Sequence, residues 1–151
     1  ALLVRLRLLV GGGRGVTKAS TSKGQDMTQV TGGCLCGALR FTATGKPHRV
    51  GICHCLSCRK NHGALFHASA IFPETAVTLT GIWQTHDDRS FCPTCGSPVF
   101  AHIDDEIGIN LGSLDDPSQF RPTYELWTIR REAWLPEFPW MRHYDRNRGE
   151  G

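Results

Sequence analysis

The seven cysteines constrain this chain more than any other feature, because they fall into three tight groups. The groups are a C-x-C pair, a C-x-C-x-x-C triple and a C-x-x-C pair, formed by Cys34 and Cys36, by Cys53, Cys55 and Cys58, and by Cys92 and Cys95. An odd count, with partners only two residues apart, argues against a disulfide framework. Because free thiols persist in reducing compartments, we expect a cytoplasmic protein.

Metal binding explains this pattern better than disulfides. Residues i and i+2 of an extended strand face the same side, so each C-x-C pair presents two thiolates to one point. Soft thiolates select zinc, copper(I) or iron–sulfur clusters, and C-x-x-C pairs far apart in sequence are typical of zinc. No common iron–sulfur spacing fits the triple. The cysteines therefore predict zinc.

Seven thiolates divide naturally into four and three. A structural zinc is closed by four protein ligands, whereas a catalytic zinc keeps three and leaves one corner for water or substrate. The triple can occupy three corners from one compact segment, which leaves the two pairs to close a second site. A zinc-ribbon site made of Cys55, Cys58, Cys92 and Cys95 is also sterically reasonable. Spacing alone leaves both partitions open.

The remainder of the chain has a β pattern. Six short runs are rich in β-branched and aromatic residues, and Gly, Pro and Asp turns separate them; they cover residues 37–44, 64–72, 76–85, 98–103, 106–111 and 123–129. This spacing predicts a mainly β single domain built from antiparallel sheets. Helix signals are weak, and the best is a turn over residues 115–120, where Pro117 follows possible cap residues.

Composition sets the domain bounds and excludes some partners. Residues 1–26 are basic and Gly/Ser/Thr-rich without a periodic apolar face, so we expect a disordered or non-native extension, with a targeting segment as the alternative. The zinc domain is expected over 27–143, followed by a flexible tail at 144–151. The formal charge is +3 and the first 26 residues carry +4, so the rest carries −1. We therefore expect neither nucleic acid nor a membrane as partner.

The cysteine motifs and two later segments together resemble a known family. The segments are GGCLCGALRF (32–41), CHCLSCRKNHGALF (53–66), RSFCPTCGSPVF (89–100), GSLDDP (112–117) and YELWTIRREAW (124–134). In this order they resemble the signatures of the glutathione-dependent formaldehyde-activating enzyme family, also called the centromere protein V domain. The resemblance implies an Mss4-like, zinc-bound β fold.

The resemblance also implies roles for the cysteines. Family members use the two pairs for a structural zinc, which here implies Cys34, Cys36, Cys92 and Cys95. They use the triple at the active site, which implies Cys53, Cys55 and Cys58 as catalytic zinc ligands. The family's named activity is a carbon–sulfur lyase reaction in reverse, the condensation of glutathione with formaldehyde to S-hydroxymethylglutathione.

Four charged or titratable residues flank the triple. Strand alternation turns His54 away from the face used by the cysteines, so we expect it to pack inside or to support the ligands. Arg59 and Lys60 either hold a substrate carboxylate or are solvated surface charges. His62 could fill the fourth zinc corner and close the site. The other histidines, His48, His67, His86, His102 and His143, are read as surface or strand positions.

Two classes of function follow. The first is a zinc lyase acting on a small thiol or its aldehyde adduct; the second is a non-catalytic zinc-stabilised binding module. Coordination at the triple discriminates them, since an open corner beside a pocket supports the enzyme and a fourth protein ligand supports the module. The near-neutral charge outside the first 26 residues favours the enzyme.

Overall fold

In a computed structural model, which describes residues 28–149, the chain is mainly β. The strands are β1 Gln29–Gly33, β2 Leu39–Thr44, β3 Arg49–Cys53, β4 His67–Pro73, β5 Val77–Gly81, β6 Gln84–His86, β7 Arg89–Phe91, β8 Pro98–Ile103, β9 Glu106–Asn110, β10 Tyr124–Leu126 and β11 Arg142–Tyr144. Within the described residues one helix, α1 Leu56–His62, accompanies them, with 3₁₀ turns at Glu74–Ala76, Leu111–Ser113, Pro117–Gln119 and Thr128–Arg130. The extension expected at 1–26 lies outside the described residues.

The strands form two sheets in one domain. The smaller sheet has the order β1-β2-β5, and the larger has the order β11-β10-β3-β4-β9-β8-β7-β6. All neighbours are antiparallel except that β10 runs parallel to both β3 and β11. Parallel neighbours cannot be joined by a tight turn, and β10 reaches β3 only after a long intervening stretch of chain. The predicted mainly β single domain is confirmed, and the larger sheet is mixed rather than purely antiparallel.

A single core draws its buried residues from both sheets. In β2 the alternation is regular, because Leu39, Phe41 and Ala43 are buried while the residues between them are half-buried. Their partners in the core come from β8 and β9 and include Val99, Phe100, Ile107 and Ile109. Two cysteines, Cys34 and Cys92, belong to the same cluster. The fold therefore places part of the cysteine set inside its core.

Helix α1 follows directly on the cysteine triple. Cys55 is its N-cap, in extended conformation, and its Sγ accepts a hydrogen bond from the backbone N–H of Cys58 at 3.4 Å. Gly63 ends the helix with φ 57°, a left-handed conformation that glycine adopts without strain. None of its residues is buried, so its sequence lacks the apolar periodicity that indicates an amphipathic helix. For this reason the sequence did not predict it.

Two further segments were considered in the sequence, the turn over residues 115–120 and the residues after β11. The predicted turn is confirmed as the 3₁₀ turn Pro117–Gln119, whose cap Asp116 accepts from the N–H of Ser118. The residues after β11 lie against β10, where the indole N–H of Trp127 donates to Asn147 Oδ1 at 2.9 Å. Flexibility of the expected tail at 144–151 stays a prediction. Over residues 28–149, the helix present is too short to span a membrane.

Candidate metal centres

Four cysteines from distant segments meet in one place, here called the four-thiol cluster. Cys34 and Cys36 follow β1, Cys92 and Cys95 follow β7, and their four sulfurs lie within 4.8 Å of one another. The sulfurs of Cys34 and Cys36 are 3.5 Å apart, and those of Cys36 and Cys92 are 3.7 Å apart. A tetrahedral zinc with bonds of about 2.3 Å separates its sulfurs by about 3.8 Å. The cluster therefore fits a zinc ion.

Two glycine turns bring these thiols together. Gly37 and Gly96 both adopt left-handed backbone, with φ of 78° and 76°, directly after Cys36 and Cys95. The N–H of Gly96 donates to the carbonyl of Cys92 at 2.8 Å, which folds the C-x-x-C segment into a tight knuckle. A side chain at either glycine would strain the turn, so the G of each C-G dipeptide is part of the metal-binding motif.

The thiols of the four-thiol cluster differ in pKa. Hydrogen bonds from the side chain and backbone of Ser97 lower the pKa of Cys95 to about 5. A backbone hydrogen bond from Ala38 favours the thiolate of Cys36, but hydrogen bonds with Cys34 and Cys95 outweigh it and raise the pKa of Cys36 to about 12. Adjacent thiolates resist ionising together, so a bound cation is what would hold all four deprotonated.

The other three cysteines form the three-thiol cluster. Cys53 ends β3, Cys55 caps α1 and Cys58 lies in its first turn, so one short segment supplies all three. Their sulfurs lie within 4.8 Å of one another and all three residues are half-buried. Within residues 28–149, no histidine, carboxylate or further cysteine lies within 4.8 Å of all three sulfurs. The partition into four and three is thus the one that the structure brings together.

The three-thiol cluster also holds protons that a metal would displace. A hydrogen bond with Cys53, together with burial, raises the pKa of Cys58 to about 12, although a hydrogen bond with His67 opposes the rise. Metal binding to such a site releases protons. Its affinity for zinc should therefore increase with pH.

His54 lies inside the protein behind this cluster, as predicted. Its side chain is fully buried, and its Nε2 lies 2.9 Å from Oε2 of Glu125. Glu125 is also fully buried, and its Oε1 accepts hydrogen bonds from Arg131 at 2.5 Å and from His143 Nδ1 at 2.6 Å. Burial alone would raise the pKa of Glu125, but these basic partners outweigh it and lower the pKa. The carboxylate therefore anchors the residue between two candidate ligands.

The other flanking residues do not join the three-thiol cluster. His62 stacks on His67 with ring centroids 4.1 Å apart, and burial together with the charges of His67 and Arg89 lowers the pKa of His62 to about 4. The guanidinium of Arg59 binds Glu132 at 2.5 Å, and Lys60 is exposed on α1. Neither cation lines the cavity described next.

A cavity of about 830 Å³ opens beside the three-thiol cluster, with Cys53 and Cys58 in its wall. Its volume lies in the usual range for small-molecule sites. Strand register places His67 directly opposite Cys53, and Nε2 of His67 lies 2.8 Å from Oδ1 of Asn110. The sequence had left His67 among the scattered histidines. Only the pairing of β3 with β4 reveals it, and β3 was not predicted.

Comparison with known proteins agrees with these two clusters. A search of curated proteins finds no match. The family model described as glutathione-dependent formaldehyde-activating enzyme matches residues 29–130, a range that contains all seven cysteines. This match covers more than half of the chain, and the chain belongs to the glutathione-dependent formaldehyde-activating enzyme family.

Proposed function

We propose that this protein is a zinc-dependent carbon–sulfur lyase that acts on a small thiol or its aldehyde adduct. The pair that the family description names is glutathione and formaldehyde, which would give S-hydroxymethylglutathione. One observation carries the proposal: two members of the three-thiol cluster, Cys53 and Cys58, lie in the wall of a cavity, and no fourth donor of residues 28–149 lies within 4.8 Å of all three sulfurs. Three protein ligands leave a zinc corner for substrate.

The reaction joins the thiol sulfur to the aldehyde carbon. A carbon–sulfur bond forms, the carbonyl double bond becomes a single bond, and the thiol proton ends on the oxygen. Zinc, when bound, holds a thiol as thiolate at neutral pH and polarises an aldehyde oxygen. The chain's own residues fix the place of reaction, since Cys53, Cys55 and Cys58 would hold the ion against the cavity.

Neighbouring side chains hold the residues around the three-thiol cluster in position. Glu125 fixes His54 from inside, and Asn110 fixes the ring of His67 in the cavity wall next to Cys58. In this proposal the four-thiol cluster holds a second, structural zinc that takes no part in the reaction. Because both clusters need reduced thiols and free thiols persist in the cytoplasm, we propose a cytoplasmic enzyme.

Turnover by the zinc-loaded protein tests this function. The rate of S-hydroxymethylglutathione formation, followed by NMR from glutathione and formaldehyde, should exceed the rate without protein. Cys55→Ser should lower the added rate by at least about 100-fold, because it removes a ligand of the reactive zinc. Ser57→Ala is the matched control, since Ser57 is exposed on the same helix and outside both clusters. A fully loaded protein without added rate would favour the binding module.

A further inference from the structure

One face of β3 leads from the three-thiol cluster to a tyrosine. Arg49, Gly51 and Cys53 alternate along this strand and share the face turned to the cavity, while Val50 on the other face belongs to the core. Tyr124 pairs with Gly51, and a Cβ on Gly51 would lie 2.3 Å from Cζ of Tyr124. The glycine thus lets the tyrosine ring cover the strand between Arg49 and Cys53.

An arginine without a carboxylate partner lies on that ring. The guanidinium carbon of Arg148 is 5.3 Å from the ring centroid of Tyr124, and both residues line the cavity. The other two arginines of the lining, Arg49 and Arg89, are each paired with a carboxylate. Over residues 28–149, no such ion pair involves Arg148. Its side chain is exposed, and although it also hydrogen-bonds the hydroxyl of Tyr124, the other N–H groups of the guanidinium remain for a ligand.

The acidic residues of the cavity lie on turns that are remote from β3 in the larger sheet. Three aspartates are in the lining: Asp87, which pairs with Arg89, and Asp88 belong to the turn between β6 and β7, and Asp104 belongs to the turn between β8 and β9. Those turns are two to five strand spacings from β3, or about 10 to 24 Å along the sheet. The side of the cavity nearest to Tyr124 is therefore the side that attracts an anion.

We propose that the cavity selects thiols that carry a carboxylate, and that Arg148 is the specificity-determining residue that binds this carboxylate above Tyr124. The proposal rests on the proposed function, because it takes the substrate sulfur to lie at the three-thiol cluster. Tyr124 covers Gly51, two residues or about 7 Å along the strand from Cys53. A carboxylate one residue beyond a cysteinyl thiol spans a comparable distance, and glutathione has that arrangement. Arginine binds carboxylates with two parallel hydrogen bonds.

Two matched thiols test this inference on the zinc-loaded full chain. N-acetylcysteinylglycine and its C-terminal amide have the same thiol and nearly the same size, but only the first carries a carboxylate. Calorimetric titration should show that the acid binds about tenfold more tightly than the amide. Arg148→Gln should remove this difference and leave the affinity for the amide unchanged.

Arg146→Gln is the control, because the Arg146 guanidinium lies 5.8 Å from the Trp127 ring and Arg146 is outside the cavity lining. This variant should keep the preference for the acid. Equal binding of acid and amide by the unmodified protein would overturn the inference and leave the proposed function standing. Binding of neither thiol would count against the proposed function itself. A preference that survives in Arg148→Gln would overturn the assignment to Arg148.

Discussion

The two cysteine clusters differ in what they join. The four-thiol cluster connects segments 56 residues apart in sequence, and two of its members are buried in the common core. The three-thiol cluster takes all its thiols from residues 53–58, and each is half-buried beside a cavity. A cross-link between distant segments constrains the unfolded chain far more than one within six residues. The first cluster is thus placed to hold the fold, and the second to meet a ligand.

Single cysteine replacements should separate these roles most strongly. Cys95→Ser should unfold the domain, because structural zinc contributes roughly 10 to 16 kcal/mol, comparable to the stability of a whole domain. Cys55→Ser should lose one zinc per chain and retain a cooperative melting transition. Circular dichroism and metal analysis of both variants give the comparison. An unchanged melting temperature and full zinc content in Cys95→Ser would show that the four-thiol cluster is not the structural site.

Replacing the buried carboxylate behind the three-thiol cluster should have a smaller effect on stability. Glu125→Ala should lower the free energy of unfolding by about 3 kcal/mol, because it leaves His54 and Arg131 without their buried partner. Glu137→Ala is the matched control: Glu137 binds the same Arg131, but its side chain is 71% exposed, so little change is expected. Urea denaturation measures both.

The same two variants also test whether Glu125 supports metal binding at the three-thiol cluster. Since His54 lies between Cys53 and Cys55, the loss of Glu125 should weaken zinc at the three-thiol cluster by about 10- to 100-fold. Competition with a chelator measures this affinity. Equal stability and equal zinc affinity in Glu125→Ala and Glu137→Ala would show that the buried network does not support the cluster.

Local sequence signals predicted those parts of the fold that depend on short-range pattern. The run at 98–103 matches β8, and the run at 106–111 matches β9 to within one residue. The run at 76–85 was predicted as one segment, but it divides into β5 and β6. Gly81, with φ 100°, ends the first strand, and the exposed Ile82 follows it. An apolar run therefore indicated strand without marking the break.

Strand β3 was missed because its composition is set by contacts elsewhere in the fold. In β3, Gly51 is small because Tyr124 lies across it from a strand far along the chain, and no local pattern shows this. The cysteines were predictable as candidate metal ligands, because cysteine is rare and its spacing is diagnostic, although the family resemblance was needed to divide them into four and three. Residues such as His67, Glu125 and Arg148 were not, because their importance depends on strand pairing and on contacts across the fold.

Zinc-edge X-ray absorption, before and after addition of a thiol, tests the central difference between the clusters most directly. With four sulfurs at one zinc and three at the other, the average should be 3.5 sulfur ligands per zinc. Added glutathione should raise this average to about 4, because its sulfur takes the open corner. The contrary result is an average that stays at 3.5 sulfur ligands per zinc after the thiol is added, together with scattering from imidazole. It would mean that a histidine closes the three-thiol cluster. That result would contradict the proposed enzyme.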